Sequence, residues 1–110
     1  MAILDFNTIF SSMVSAATTS LKGSITGLTA PAKAAMKSLA QYLVDIEQMK
    51  LDGTCTQDQA TLLIKMQKNT AQTIILTEEG LGLLAAQEAI NAALDVVKTA
   101  VNTAIGWPLL

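Results

Sequence analysis

Histidine and arginine are both absent from this chain of 110 residues, and each absence excludes a class of function. Histidine is the commonest general base and metal ligand, and the usual partner of a nucleophilic serine or cysteine. The guanidinium of arginine forms pairs of hydrogen bonds with nucleobases and with phosphate groups. The seven cations are scattered lysines and the net charge is -2. We therefore expect a protein that is not an enzyme and binds no nucleic acid.

Cysteine occurs once, at Cys55, so neither an internal disulfide nor a cysteine zinc site is possible. The stretch from Asp52 to Leu63 resembles a calcium-binding loop only in its alternating oxygen side chains. It has Gln57 where such a loop requires glycine and Leu63 where it requires glutamate. No glycine-rich phosphate loop is present. The sequence predicts no metal site, no cofactor and no small-molecule substrate.

Charged residues are also scarce, at 15% against about 25% in a typical globular domain. Hydrophobic residues make up 51% of the chain and aromatic residues only 4%. A single domain of this length buries only about two thirds of the surface that its unfolded chain exposes. The surface of a monomer would be poor in charge, so we expect another molecule to cover part of it.

The chain lacks a long apolar run. The longest charge-free run is Phe6 to Leu21, and it contains many hydroxyl side chains. It is too short to span a bilayer, which requires about 20 predominantly apolar residues. Asp5 stands where a secretory signal would be basic. The sequence therefore predicts neither a cleaved signal nor a membrane-spanning helix. The default expectation is cytoplasmic, with non-classical export or incorporation into a particle as alternatives.

The apolar residues that are present recur at steps of three and four, which predicts amphipathic α-helices. The first predicted helix covers residues 3–28, and hydroxyl side chains fill its polar face. The second covers 31–51, beginning at Pro31 and ending before Gly53. The third covers 57–79, where Thr56 and Gln59 match a capping box. The fourth covers 83–105, after Gly80 and Gly82.

The predicted fold is all-α, a single domain of three to four amphipathic helices over residues 1–110. The short connection at Asp52 and Gly53 predicts an antiparallel hairpin of the second and third helices. The two glycines at positions 80 and 82 predict a kink or break, so that the C-terminal half forms one long kinked helix or two helices. We expect oligomerisation to complete the fold.

Two groups of residues are the candidate contact sites. Small residues four apart allow a second helix to approach closely; they are Ala16, Ser20, Gly23 and Gly27. Bulky apolar residues at the two ends of the chain are candidates for contact with lipid or a protein partner; they are Phe6, Ile9, Phe10, Met13, Trp107, Leu109 and Leu110. We interpret the lysines, Asp45 and Glu47 as solvated surface charges.

These observations favour two functions. The first is a non-enzymatic structural subunit that self-associates into a homo-oligomeric helical assembly, such as a bundle, tube or shell component. The second is a membrane-active amphipathic protein that binds a lipid interface and forms an oligomeric pore. The partner is accordingly a second copy of the chain or a lipid membrane surface.

Overall fold

The computed structural model describes residues 4–21, 29–80 and 82–110. Within those ranges the regular secondary structure is α-helix and there is no strand, so the all-α prediction is confirmed. There are four helices: α1 (Phe6–Ser20), α2 (Ala30–Asp52), α3 (Gln57–Glu79) and α4 (Leu83–Ile105).

α1 is shorter than the helix predicted over residues 3–28. Asp5 has extended backbone angles and caps the helix, because its carboxylate accepts from the Thr8 amide, so α1 begins at Phe6. The helix ends at Ser20, and Leu21 leaves helical geometry. The last turn is Thr18, Thr19 and Ser20, whose hydroxyls compete for backbone hydrogen bonds. Residues 22–28 lie outside the described ranges.

The connection between α2 and α3 follows from its local sequence. Gly53 ends α2 in the left-handed region, with φ of 74°, which glycine adopts without a steric penalty. The predicted capping box begins α3: Gln59 N donates to the Thr56 hydroxyl over 3.2 Å, and Thr56 N donates to Gln59 Oε1 over 2.9 Å. Four residues therefore separate two helices of 23 residues each.

Gly80 ends α3, again in the left-handed region, with φ of 65°. Gly82 has extended backbone angles and precedes the first residue of α4, Leu83. The sequence leaves open a continuous helix here, but α3 and α4 are separate elements. The left-handed conformation at Gly80 interrupts the helical path and allows α4 to pack beside α3.

The four helices form an up-down-up-down bundle in which α1 packs mainly on α4 and α2 packs mainly on α3. Leu4 N donates to Glu47 Oε1, so α1 begins beside the last turns of α2. Lys50 Nζ donates to the Ile105 carbonyl, so α4 ends at the same place. We call this the closed end of the bundle; it holds the start of α1, the α2–α3 connection and the end of α4.

The core runs along the bundle axis and combines large side chains with alanines. Fully buried residues on α2 include Met36, Leu39 and Leu43. α4 contributes several alanines with no exposed surface; they are Ala86, Ala89 and Ala93. Small side chains let neighbouring helices approach closely. The buried alanines of α4 therefore permit its neighbours to pack closely against it.

Candidate functional site

The bulky residues predicted for external contact on α1 divide into two pairs. Ile9 and Met13 belong to the core, with 4% and 0% of their surface exposed. Phe6 and Phe10 are half-buried and stack on one another, with ring centroids 5.7 Å apart and planes 12° from parallel. Of these four residues, the two phenylalanines are the ones that present apolar surface at the outside of α1.

The C-terminal tail docks on its own bundle. Asn102 Oδ1 accepts from the amides of Leu109 and Leu110, each over 3.1 Å, and Asn102 Nδ2 donates to the Leu110 carbonyl over 3.3 Å. Leu109 is buried in the core, while Trp107 and Leu110 are half-buried against it. The side chain of Asn102 thus supplies the hydrogen bonds that the tail backbone would have made within a helix.

Lys50 contacts both the end of α4 and the tail at the closed end. Its ammonium donates to the Ile105 carbonyl and lies 5.0 Å from the centroid of the Trp107 ring. A cation at a helix C-terminus offsets the negative end of the dipole and satisfies a carbonyl that has no partner within the helix. The interpretation of the lysines as uniformly solvated is wrong for Lys50, which is half-buried.

The interpretation of Glu47 as a solvated surface charge is also wrong. The sequence analysis placed it on the surface, but only 2% of it is exposed, and its Oε1 accepts from the Leu4 amide over 2.9 Å. Buried carboxylates require such partners because desolvation penalises an unpaired charge. The signal was present in the sequence, since Glu47 follows Met36, Ala40 and Leu43 at steps of four, three and four.

The described part of the chain includes two of the four small residues predicted for close helix packing. Ala16 is half-buried on α1 and Ser20 is exposed. Gly23 and Gly27 lie outside the described residues.

A groove that the sequence analysis did not anticipate runs between α2 and α3 on the outside of the bundle. Its volume is about 360 Å³. The side chains are mostly small on the α2 side and longer on the α3 side. The lining residues are Pro31, Ala34, Ala35, Ser38, Gln67, Thr70, Ala71 and Ile74. We call this the α2–α3 groove.

The groove continues as shallow depressions toward the closed end. One is lined in part by Tyr42, Met49 and Leu63, and the next by Met49, Cys55 and Leu62. On α2 the residues at 31, 34, 38, 42, 45 and 49 recur at steps of three and four, so they share one helix face. An open, largely apolar channel therefore follows the length of the hairpin.

Two large apolar side chains of α3 stand beside this channel. Leu62 is 58% exposed and Met66 is 54% exposed. They are four residues apart, so they form one continuous apolar strip on the helix. We use the name hairpin face for the open side of α2 and α3 that holds the α2–α3 groove, its continuation and this strip.

Reactive groups do not converge in the described part of the chain. Cys55 is a free, half-buried thiol. Across residues 4–21, 29–80 and 82–110, no three Cys, Asp or Glu side chains are grouped so as to hold a metal ion. The helices described in those ranges are also too short or too polar to cross a membrane. The hairpin face is therefore considered as a candidate contact surface.

Comparison with known proteins found no matching family model, no matching curated protein and no matching solved structure.

Proposed function

We propose that this chain is a non-enzymatic structural subunit that self-associates into a homo-oligomeric helical assembly, such as a bundle, tube or shell component. The observation that carries the proposal is the hairpin face. There an open groove of small side chains lies beside Leu62 and Met66, both more than half exposed. Grooves between helices accept side chains from a further helix, as in larger bundles.

The energetics of the hairpin face favour association. Full burial of a leucine or methionine side chain contributes about 1.5–3 kcal/mol, so the exposed half of each contributes about half of that. Charged residues are only 15% of the chain, which keeps the cost of removing water from a contact low. Several such side chains from each copy are needed to offset the entropy lost on association.

Binding to a lipid interface is the second candidate, supported by the position of the aromatic side chains. Phe6, Phe10 and Trp107 are half-buried, and all three lie toward the closed end of the bundle. Aromatic side chains of this kind favour the boundary between headgroups and acyl chains. However, Ile9 and Met13 are in the core, so inserting the whole apolar stripe of α1 would require α1 to leave α4. Self-association requires no such opening, and we therefore favour it.

The test is molar mass measured by light scattering after size exclusion, over a concentration series without lipid or detergent. We expect a mass that rises with concentration to a discrete oligomer or a longer assembly. A constant monomer mass at every concentration would contradict the proposal. In a parallel series with liposomes, a monomer that floats with the lipid would support the membrane candidate instead.

A further inference from the structure

We propose that the seat of the C-terminal tail is a peptide-binding site that also takes the tail of a second copy of this chain. The tail is residues 107–110, and its seat is the surface of α3 and α4 on which it docks. Tail exchange rests on the proposed self-association and identifies one contact that joins two copies. Exchange of an identical segment is a low-cost route to a dimer, because each contact already exists within one copy.

The seat binds both the backbone and the side chains of the tail. The Oδ1 atom of Asn102 accepts from two successive amides, those of Leu109 and Leu110, and its Nδ2 atom donates to the Leu110 carbonyl. The two leucines also line a depression of about 150 Å³ together with residues of both helices. The helix residues are Ile64, Lys68, Asn91, Leu94 and Asp95. A few placed polar groups beside an apolar depression are typical of a binding site.

The tail has a local restraint on its shape. Leu109 N donates to the Trp107 carbonyl over 2.9 Å, which closes a three-residue turn at Pro108. The ring of Pro108 restricts φ to about −65°, which is close to the value that such a turn requires. A segment with a restricted shape loses less entropy when it binds. A tail that leaves one copy is therefore suited to binding on another.

Gly106 joins the tail to α4 and allows it to turn away. Its φ is 83°, in the left-handed region that glycine enters without a steric penalty. Glycine adopts other backbone angles about as readily, so the tail can point outward while α4 remains helical to Ile105. A tail of four residues spans at most about 14 Å when extended. The closed ends of two exchanging copies must therefore lie side by side.

Docking within the same copy competes with exchange. A segment on a short flexible linker has an effective concentration of roughly millimolar order. The two arrangements make the same contacts between tail and seat, so the balance between them depends on the local concentration of other copies. The proposed assembly holds copies together and supplies such a concentration.

The experiment traps an exchanged tail with a disulfide between two different chains. Both chains carry C55S, so that the native thiol does not react. One chain also carries L110C on the tail, and the other carries N91C on the seat. The two are mixed under a mild oxidant, in a series that reaches about 1 mM. We expect a mixed disulfide dimer on a non-reducing gel, with a yield that rises with concentration.

Two controls separate exchange from random collision. In the first, K33C takes the place of N91C and puts an exposed cysteine on α2, away from the seat. In the second, both chains carry N102L, which removes the side chain that holds the tail backbone. The matched variant N69L changes an exposed asparagine of α3. We expect N102L to lower the yield at least about tenfold, because three hydrogen bonds are lost, and N69L to leave it unchanged. Circular dichroism establishes that all the variants are folded.

The outcomes separate tail exchange from the proposed function. If the parent chain associates, but the L110C and N91C chains form no more mixed disulfide than the K33C control, exchange is overturned and self-association still stands. Equal yields with N102L and N69L would have the same meaning. If the parent chain is monomeric at every concentration, both exchange and the proposed function are overturned.

Discussion

Lys50 connects parts of the chain that are far apart in sequence. Its ammonium lies 55 residues from the carbonyl to which it donates, and the same group lies over the Trp107 ring. Glu47, less than one helical turn earlier, accepts from the amide of Leu4. Two charged residues of α2 therefore hold the start of α1 and the end of α4.

Replacing Lys50 by methionine tests the energetic role of the ammonium. K50M keeps the apolar stem but leaves the Ile105 carbonyl without its side-chain donor and removes the cation–π contact. We expect the free energy of unfolding to fall by about 1–3 kcal/mol, measured by urea denaturation. The matched control K98M replaces an exposed lysine of α4 and should change stability by less than about 0.5 kcal/mol. Equal effects of the two substitutions would contradict the role given to Lys50.

Sequence patterns identify apolar core positions such as Met36 and Leu43 but not these two charged residues. Periodicity treats a lysine or glutamate as polar, and therefore as exposed, whatever its partner. Glu47 is buried because a backbone amide 43 residues away supplies a hydrogen bond, and Lys50 is half-buried because Trp107 lies beneath it. Both partners depend on how the helices pack, which no local pattern contains.

At the scale of the helix, the ends follow from the residues that cap them. Thr56 and Gln59 begin α3, and Gly53 ends α2, as their local sequence predicts. The end of α1 was not predictable in this way, because the apolar stripe continues to Leu21 and beyond. The helix nevertheless ends at Ser20, in a turn of hydroxyl residues with no glycine or proline to mark it. The hairpin face was also missed, because which sides of α2 and α3 remain uncovered depends on where α1 and α4 pack.

The cap of α1 gives that helix a dependence on pH. Hydrogen bonds from the Thr8 hydroxyl and the Thr8 amide hold the pKa of Asp5 below its ordinary value of 3.8. A carboxylate with a lowered pKa in the folded state stabilises the fold above its unfolded pKa, and this stabilisation is lost as the pH falls through the folded pKa.

We therefore compare the parent chain with D5N, which keeps a capping oxygen but does not titrate. The melting temperature of the parent chain should fall more steeply than that of D5N as the pH falls from neutral to below the ordinary pKa of 3.8. Parallel curves for the two proteins would show that Asp5 carries no pH-dependent stabilisation. Both proteins should remain helical by circular dichroism at neutral pH.

At the scale of the whole molecule, the polar contacts between distant parts are concentrated at the closed end. Glu47 and Lys50 bond there to residues 43 and 55 positions away in sequence, and Asn102 holds the tail that follows α4. The start of α4 differs, because Leu83 and Leu84 are more than half exposed. The bundle therefore has one end stabilised by side-chain links and another in which the start of α4 presents leucines to solvent.

Hydrogen exchange should report this difference. We expect the amides of residues 97–104 to exchange more slowly than those of residues 87–92, both of which lie within α4 beyond its unbonded first turn. Opening of residues 97–104 requires the loss of the side-chain hydrogen bonds at the closed end, and residues 87–92 do not have these bonds. Mass spectrometry of peptic fragments measures both segments in one experiment. Equal protection from exchange in the two segments would contradict a difference in stability between the two ends of α4. In K50M the difference in protection between the segments should become smaller.

Leu4 lies at the closed end, but the tail turns back along the bundle, because Leu110 bonds to Asn102 and lines a depression with Lys68 and Asn91 in the middle of α3 and α4. A protein fused after Leu110 would consequently emerge beside α3 and α4 rather than at the tip of the bundle.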